Sequence, residues 1–216
     1  MSANKIKSVP VPTLKRLTRY IHLLTRLRNE GVRQVSSTVI ASELQLDPTQ
    51  VRKDIQFTGI VGKPKTGFPV DNLIEAIREF LNWNNTSDAF LVGVGHLGAA
   101  MLGYREFRQY GLNFVAAFDV APSKVGTQIA GVHVLPLSKL TNLAQRMHVH
   151  IGVITVPPDA AQAVADMMVA GGIRAIWNFA PVQIKVPDQV IVENAQLTQS
   201  LAVLTHKLSE SLEIKS

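Results

Sequence analysis

The sequence predicts an α/β, Rossmann-like doubly wound parallel sheet, preceded by an α+β winged-helix domain. Three observations carry this. An apolar run, residues 90–92, ends in Gly93-Val94-Gly95-His96-Leu97-Gly98 and passes at once into a helical pattern. Beyond it, short apolar runs alternate with helical stretches, the rhythm of parallel strands covered by helices. Ahead of it lie short helical patterns and a glycine-rich turn that hold the chain's whole excess of positive charge: 13 Lys/Arg against 7 Asp/Glu in residues 1–80, and 9 against 9 afterwards. The polar stretch 82–88 divides the two halves, giving expected domains at 1–85 and 86–195 and a final segment at 196–216.

Composition bounds the rest. The 216 residues are 46% hydrophobic, ordinary for a chain with a sizeable core, and include no cysteine, which excludes disulfides and thiolate metal sites. No apolar run approaches the ~20 residues of a membrane span, and the N-terminus carries Lys5, Lys7, Pro10 and Pro12 rather than a signal peptide's apolar region. A soluble, cytoplasmic protein is expected. The net charge of +6, placed as it is, suggests an anionic macromolecule bound by the N-terminal part.

In chain order, Thr13 is a candidate cap for a helix carrying Leu14, Leu17, Ile21, Leu24 and Leu27 on one face, with Gly31 as its stop. Its outer face holds Lys15, Arg16, Arg19, Arg26 and Arg28. Ser36 and Ser37 offer a cap to a short helix at 38–45. Asp47-Pro48-Thr49-Gln50 then starts another, with the cap residue, the proline and the glutamine in the expected places. That third helix turns Val51, Ile55 and Thr58 inward and leaves Thr49, Gln50, Arg52, Lys53 and Gln56 on a polar, basic face, as a recognition helix entering a DNA major groove would. Residues 60–68 have the makings of a hairpin, with Lys63 and Lys65 at its tip. A basic hairpin there is a wing, whose lysines reach phosphates and fix position more than sequence. Pro69-Val70-Asp71 opens a fourth helix bearing Leu73, Ile74, Ile77, Phe80 and Leu81.

The glycine turn is an anion site. Its backbone N–H groups and the unpaired donors of the helix's first turn point at whatever sits there. Gly93 allows the turn, Gly95 the approach of a pyrophosphate, and Gly98 the contact of helix with strand, while Val94, His96 and Leu97 line the turn. A second apolar run, 114–118, ends on Asp119, 21 residues after Gly98, where a dinucleotide-binding unit places the carboxylate for the ribose hydroxyls. No base follows before Lys124, and a carboxylate repels a 2′-phosphate, so the pattern favours NAD(H) over NADP(H).

After Asp119, 126–134 reads as loop, 137–147 as helix, 149–156 as strand, 159–170 as helix, and 173–179 and 190–193 as strands. Ligands bind beyond the carboxyl ends of such strands, so Thr155-Val156-Pro157 and Asn178-Phe179-Ala180-Pro181 are expected at the pocket edge. The last helix carries Leu197, Leu201, Leu204, Leu208 and Leu212, a stripe that packs either on its own domain or between subunits. His148 and His150 share one side of an expected strand with no nearby carboxylate, a poor metal site, and no metal is expected. The chain has no nucleophile elbow and no Walker lysine. A small NAD(P)-dependent oxidoreductase with a basic appendage would need a substrate domain or closing loops. The sequence leaves room for neither, so a binding protein fits better than an enzyme. A regulator binding CoA or another nucleotide is a further alternative, since the same turn suits other pyrophosphates.

With a winged helix, Gly-Val-Gly-His-Leu-Gly, Phe-Asp, Thr-Val-Pro and Asn-Phe-Ala-Pro in that order, the chain resembles the Rex family of redox-sensing bacterial transcriptional repressors, from about Pro12 to Leu212. Gln50-Val51-Arg52-Lys53-Asp54, the glycine turn and the Asn178 motif are the most specific pieces. The resemblance implies a homodimer that binds a palindromic double-stranded operator and is released by NADH, with the last helix swapped between subunits. It implies Arg52 and Lys53 as DNA contacts, the glycine turn and Asp119 as NAD(H) contacts, and Tyr104 near the nicotinamide. It further implies Arg16 in a network coupling the domains, together with the positions occupied by Gln196 and Leu197. Three departures stand out: Phe57-Thr58-Gly59 replaces the usual Tyr-Phe-Gly, lysines replace a wing arginine, and Gln196-Leu197 replaces an acidic residue followed by Phe.

Overall fold

The structure, a computed structural model, describes residues 9–64, 66–195 and 197–213. The chain divides into two compact units, Met1–Asn85 and Thr86–Ser216.

In the first unit, helices α1 (Val11–Asn29), α2 (Ser37–Leu44), α3 (Pro48–Gln56) and α4 (Val70–Phe80) enclose one core, with a two-stranded antiparallel ribbon of β1 (Gln34–Val35) and β2 (Phe68–Pro69). The α1 stripe buries Leu17, Ile21, Leu24 and Leu27 against Ile40, Val51, Ile55, Leu73 and Ile77. Each such side chain contributes about 1.5–3 kcal/mol on leaving water. The caps of α2 and α3 form as expected: Ser36 accepts from the Val39 amide at 3.2 Å, and Asp47 from Thr49 and Gln50 at 2.7 and 3.1 Å.

Two expectations need correction here. Thr13 is not a cap, because α1 starts earlier, behind Pro10, and Thr13 sits buried in the first turn with its hydroxyl on Asp54. The 60–68 stretch does not form its own two-stranded hairpin. It is a loop closed by one antiparallel bridge between Lys63 and Gly67, and Phe68–Pro69 pairs with β1 instead. Pro64 has no N–H with which to extend a ladder, and Gly67, at φ +79°, passes so close that a Cβ would lie 2.2 Å from the Val35 carbonyl.

The second unit is a seven-stranded sheet of β3 (Ser87–Val92), β4 (Leu112–Asp119), β5 (Gln128–Ile129), β6 (Val132–Pro136), β7 (Ile151–Ile154), β8 (Ala175–Asn178) and β9 (Ile191–Asn194). The order is β5-β6-β4-β3-β7-β8-β9, all parallel except β5 against β6. The six parallel strands follow the doubly wound 3-2-1-4-5-6 arrangement of dinucleotide-binding sheets. Helices α5 (His96–Gly103), α6 (Leu140–Met147) and α7 (Pro158–Ala170) belong to the same unit. Alternation along β3 sends Phe90 and Val92 into one core with Phe118, Ile154 and Met168, and Ala89 and Leu91 into another with Met101, Ala117 and Val153. The sheet is therefore dry on both faces.

The expected loop at 126–134 is instead a tight hairpin of β5 and β6, turned by Ala130 and Gly131, both at positive φ. Positive φ at both central positions is the two-residue turn that matches strand twist. His148 and His150 precede β7 rather than lie on it, and His148 closes α6 in the left-handed conformation. The final helix, α8 (Leu197–Glu213), leaves Leu201, Leu204, Leu208 and Leu212 between 55% and 65% exposed. Among the described residues no helix is long and apolar enough to cross a membrane.

Candidate functional site

Strand order reverses at β3, with β4 on one side and β7 on the other, so the chain leaves the sheet in opposite directions and a crevice opens beyond the carboxyl ends. A cavity of about 670 Å³ lies there, within the ~300–1,000 Å³ of small-molecule sites. Its wall includes Gly93, Gly95, His96, Leu97, Asp119, Thr155, Val156, Pro157, Phe179 and Pro181.

The three glycines divide the work. Gly93 sits at φ +98°, and a Cβ there would meet the Thr155 carbonyl carbon at 2.8 Å and Val156 Cγ1 at 2.7 Å. Gly98 packs α5 on the strand so tightly that a Cβ would lie 2.1 Å from the Gly93 carbonyl. Gly95 is different: nothing lies within 4 Å of where its Cβ would project, although it borders the cavity. The turn is closed behind and open in front, a cradle for a group that approaches the backbone. Helix α5 starts at that point without a side-chain cap and without an acidic residue in its first turn, so its N-terminal donors suit an anion.

Asp119 ends β4 at the cavity, with its side chain 8% exposed. Oδ2 accepts the Val94 amide at 2.7 Å and the Lys124 ammonium at 3.2 Å, and Oδ1 accepts the Ala121 amide at 2.9 Å. Burial alone would raise its pKa, but the donors from Ala121, Val94 and Lys124 outweigh it and hold the carboxyl below its ordinary value. Thr155 directs its hydroxyl at the Val92 and Gly93 carbonyls, 3.1 and 2.7 Å away, tying the β7 end to the turn.

The remaining expected cofactor residues lie behind the wall. Val94 is buried and offers Asp119 its amide. Asn178 is fully buried and uses its amide on the Val182 carbonyl, Asn194 Oδ1 and the Ala180 N–H, so it shapes the loop that presents Phe179; Ala180 is buried with it. Tyr104 ends α5, far from the turn, and does not border the cavity. Its ring packs edge-on against Phe107 at 5.0 Å, which meets Trp177 at 5.8 Å, which meets Phe179 at 4.6 Å. An aromatic row thus joins Tyr104 to the wall. Sequence reasoning passed over the wall residues Val92, Val120, Leu137, Pro158 and Ala160, and did not use Lys124.

In the first unit, Thr49, Arg52, Lys53 and Gln56 of α3 are exposed. Gln50 is not free with them: its amide donates to Asp54 Oδ1 at 2.9 Å. Asp54 is a fully buried hub that also takes Thr13 Oγ1 at 3.0 Å, Tyr20 Oη at 2.7 Å, and Arg16 through Nε at 2.6 Å and Nη2 at 2.8 Å. Burial opposes its charge, yet these donors prevail and keep it ionised below the usual carboxyl range. Burial, reinforced by the hydrogen bond to Asp54, pushes the Tyr20 phenol strongly upward. Arg16 is thus committed to locking α3 onto α1. A groove in this unit gathers Ser36, Ser37 and Thr38 at the start of α2 with Arg52, Gln56 and Lys63. The α2 hydroxyls are functional candidates that charge patterning could not reveal. Lys65 and Gln196 lie outside the described residues, as does the side chain of Leu197.

Comparison with known proteins decides the family. The redox-sensing transcriptional repressor Rex of Bacteroides fragilis is 44% identical over 201 residues, 93% of this chain and 91% of that protein. The Rex of Treponema denticola is 44% identical over 200 residues, 93% and 95% of the two chains. This chain belongs to the Rex family. Solved Rex structures agree along the whole length. RSP in complex with β-NAD+ and operator DNA superposes with a TM-score of 0.89 at 32% identity, covering 97% of this chain and 96% of that one. RSP in complex with β-NADH gives 0.87 at 32% identity, covering 96% and 97%. Two family models match parts of the chain: one described as a putative DNA-binding protein N-terminus, over residues 8–55, and one described as a CoA binding domain, over 84–182. The Rex fold thus accounts for both units, and the two parts of a Rex protein fall on the α3 surface and the glycine-turn cavity.

Proposed function

We propose that this chain is a cytoplasmic NADH-responsive transcriptional repressor whose homodimer binds a palindromic operator and leaves it when NADH occupies the second unit. The observation that carries the reading is one cavity combining an open glycine cradle with a buried, ionised carboxylate, in a chain that matches Rex repressors over both units. Gly93–Gly98 and the start of α5 would hold the pyrophosphate, and Asp119 the adenosine ribose. Thr155, Val156, Pro157 and Phe179 would bound the nicotinamide end. The nicotinamide supplies the redox difference that is sensed. The protein's part is to bind one redox form more tightly in the DNA-incompetent state, since only differential affinity shifts an equilibrium.

Arg52 and Lys53, exposed on α3, would contact the operator, with Lys63 and the α2 hydroxyls on phosphate. Exposed leucines along α8 support a dimer built by that helix. The match to a CoA binding domain supports a second reading, in which another adenine nucleotide occupies the cradle. Asp119 speaks against it, because a carboxylate repels a phosphorylated ribose. Titration of a palindromic operator selected in vitro, with NADH, NAD⁺, NADPH and CoA added in turn, separates the readings. Release by NADH at concentrations where CoA is inert supports the first, and release by CoA alone replaces it.

A further inference from the structure

Resting on the dinucleotide reading, we infer that Lys124 is a specificity-determining residue: it partly cancels the Asp119 charge and so admits 2′-phosphorylated dinucleotides that a bare carboxylate would exclude. The ribose end of the cavity is not simply acidic. Lys124 Nζ stands 3.2 Å from Asp119 Oδ2, and both residues, with Val120, form that part of the wall. The lysine is positioned by its own backbone. Its N–H donates to the Ala121 carbonyl at 3.0 Å, and its carbonyl accepts the Thr127 amide at 3.1 Å and hydroxyl at 2.6 Å. That turn begins where the Ala121 amide binds Asp119 Oδ1, so cation and anion are set by one piece of chain.

The partners differ in how firmly they are held. Asp119 is fixed by two backbone amides, whereas the Lys124 side chain is 39% exposed at the end of a flexible stem. A ribose with free hydroxyls competes with the ammonium for Oδ2. A ribose carrying a 2′-phosphate brings its own negative charge, which the same ammonium can meet by a small swing. Lys124 therefore has opposite effects on the two cofactors: it costs NADH a free acceptor and gives NADPH a counter-ion.

The test is calorimetric titration of wild type, Lys124→Met and Lys124→Arg with NADH and NADPH. Lys124→Met should weaken NADPH by about 10- to 100-fold, the worth of a charge-assisted hydrogen bond, while NADH binds as before or more tightly. Lys124→Arg should keep NADPH within a few fold of wild type. Parallel loss of both cofactors in a variant with wild-type circular dichroism, or no change in either, would overturn the inference. Should Lys124→Met not fold, wild type still decides, because NADPH affinity must fall with salt more steeply than NADH affinity; equal slopes overturn it. A wild type that binds NADH with the lysine variants indistinguishable refutes the lysine's role alone. A wild type that binds neither dinucleotide refutes the cofactor reading and this inference together.

Discussion

Tyr20 on α1 donates its phenolic hydrogen to Asp54 on α3 at 2.7 Å, and both side chains are fully buried. This bond is one of five that Asp54 accepts from Thr13, Arg16, Tyr20 and Gln50, and it fixes the angle at which α3 leaves the core. Arg52 and Lys53 stand directly before Asp54 in sequence, so the hub that anchors the helix also sets where its basic face points.

Asp54→Ala should therefore cost more than one surface contact. It strands a guanidinium, a phenol and a buried hydroxyl, and the loss of one partner of a buried ion pair typically destabilises by about 3–5 kcal/mol. The low end is expected, because Arg16 is 20% exposed and regains some water. Thermal melting should show the first unit loosened, operator binding should fall, and NADH binding in the second unit should persist. An unchanged melting curve would remove Asp54 from its role as anchor.

The same hub sets an acid limit. Asp54 has its pKa depressed from an ordinary 3.8, so its contribution to stability is complete above that value and disappears as pH falls through the folded value. Asp47 and Asp119 are depressed too and act in the same direction. Stability should be flat from neutrality to about pH 5 and decline below about pH 4. Asp54→Asn should shrink that decline. A variant as acid-sensitive as wild type would place the titration elsewhere.

On the α3 surface, Arg52→Ala and Lys53→Ala should each weaken operator binding without affecting NADH. If Lys53 touches only phosphate, its removal flattens the log–log salt slope by about one unit. Gln50→Ala should act differently, through α3 stability, because its amide is spent on Asp54. Equal operator affinity in the Arg52 and Lys53 variants would take this helix out of the interface.

How much of this could be read from the chain depends on whether a residue's partner is local. The cap at Asp47 and the glycine spacing are signals a few residues long, and the structure realises both. Asp119 was legible because a strand and a helix of regular length put it opposite the turn. Asp54 was not, for its partners lie 34 to 41 residues away on α1, and a charged residue inside an α3 face otherwise rich in base reads as solvated. The β5–β6 hairpin escaped notice because Ala130-Gly131 lacks the usual Asn-Gly signature, although the left-handed turn is the same. Tyr104 and Asn178 stand in motifs that resemble a pocket edge, yet their side chains serve packing and loop shape.

The glycine turn offers a sharper test, since its members should fail differently. Gly98→Ala forces a Cβ onto the Gly93 carbonyl, and Gly93→Ala adds strain at φ +98°, so both should lower the melting temperature; overpacking of this kind costs about 1–3 kcal/mol. Gly95→Ala meets no protein atom and has an ordinary φ of −78°, so stability should stay within about 1 kcal/mol of wild type. Its methyl group would nonetheless stand in the cradle, and NADH affinity should fall roughly tenfold or more as backbone hydrogen bonds to the ligand are lost. A Gly95→Ala protein that melts and binds NADH like wild type would move the pyrophosphate away from the turn.

The last prediction concerns α8, whose described side chains are exposed from residue 198 to 212. Leu204 and Leu208, 65% and 55% exposed, form adjacent turns of one stripe, and a partner burying them would gain about 1.5–3 kcal/mol for each. Leu204→Glu/Leu208→Glu replaces that gain with two carboxylates that would have to be desolvated. Sedimentation equilibrium should show a monomer. Operator affinity should then collapse, because two half-sites are no longer engaged by linked domains, an advantage of about 10²–10⁴ in related bivalent systems. NADH binding should survive, since the cavity wall runs only from residue 92 to 181. A double variant that remains dimeric would assign the subunit contact to another surface, and one that stays dimeric yet releases DNA would assign α8 to the operator-binding state instead.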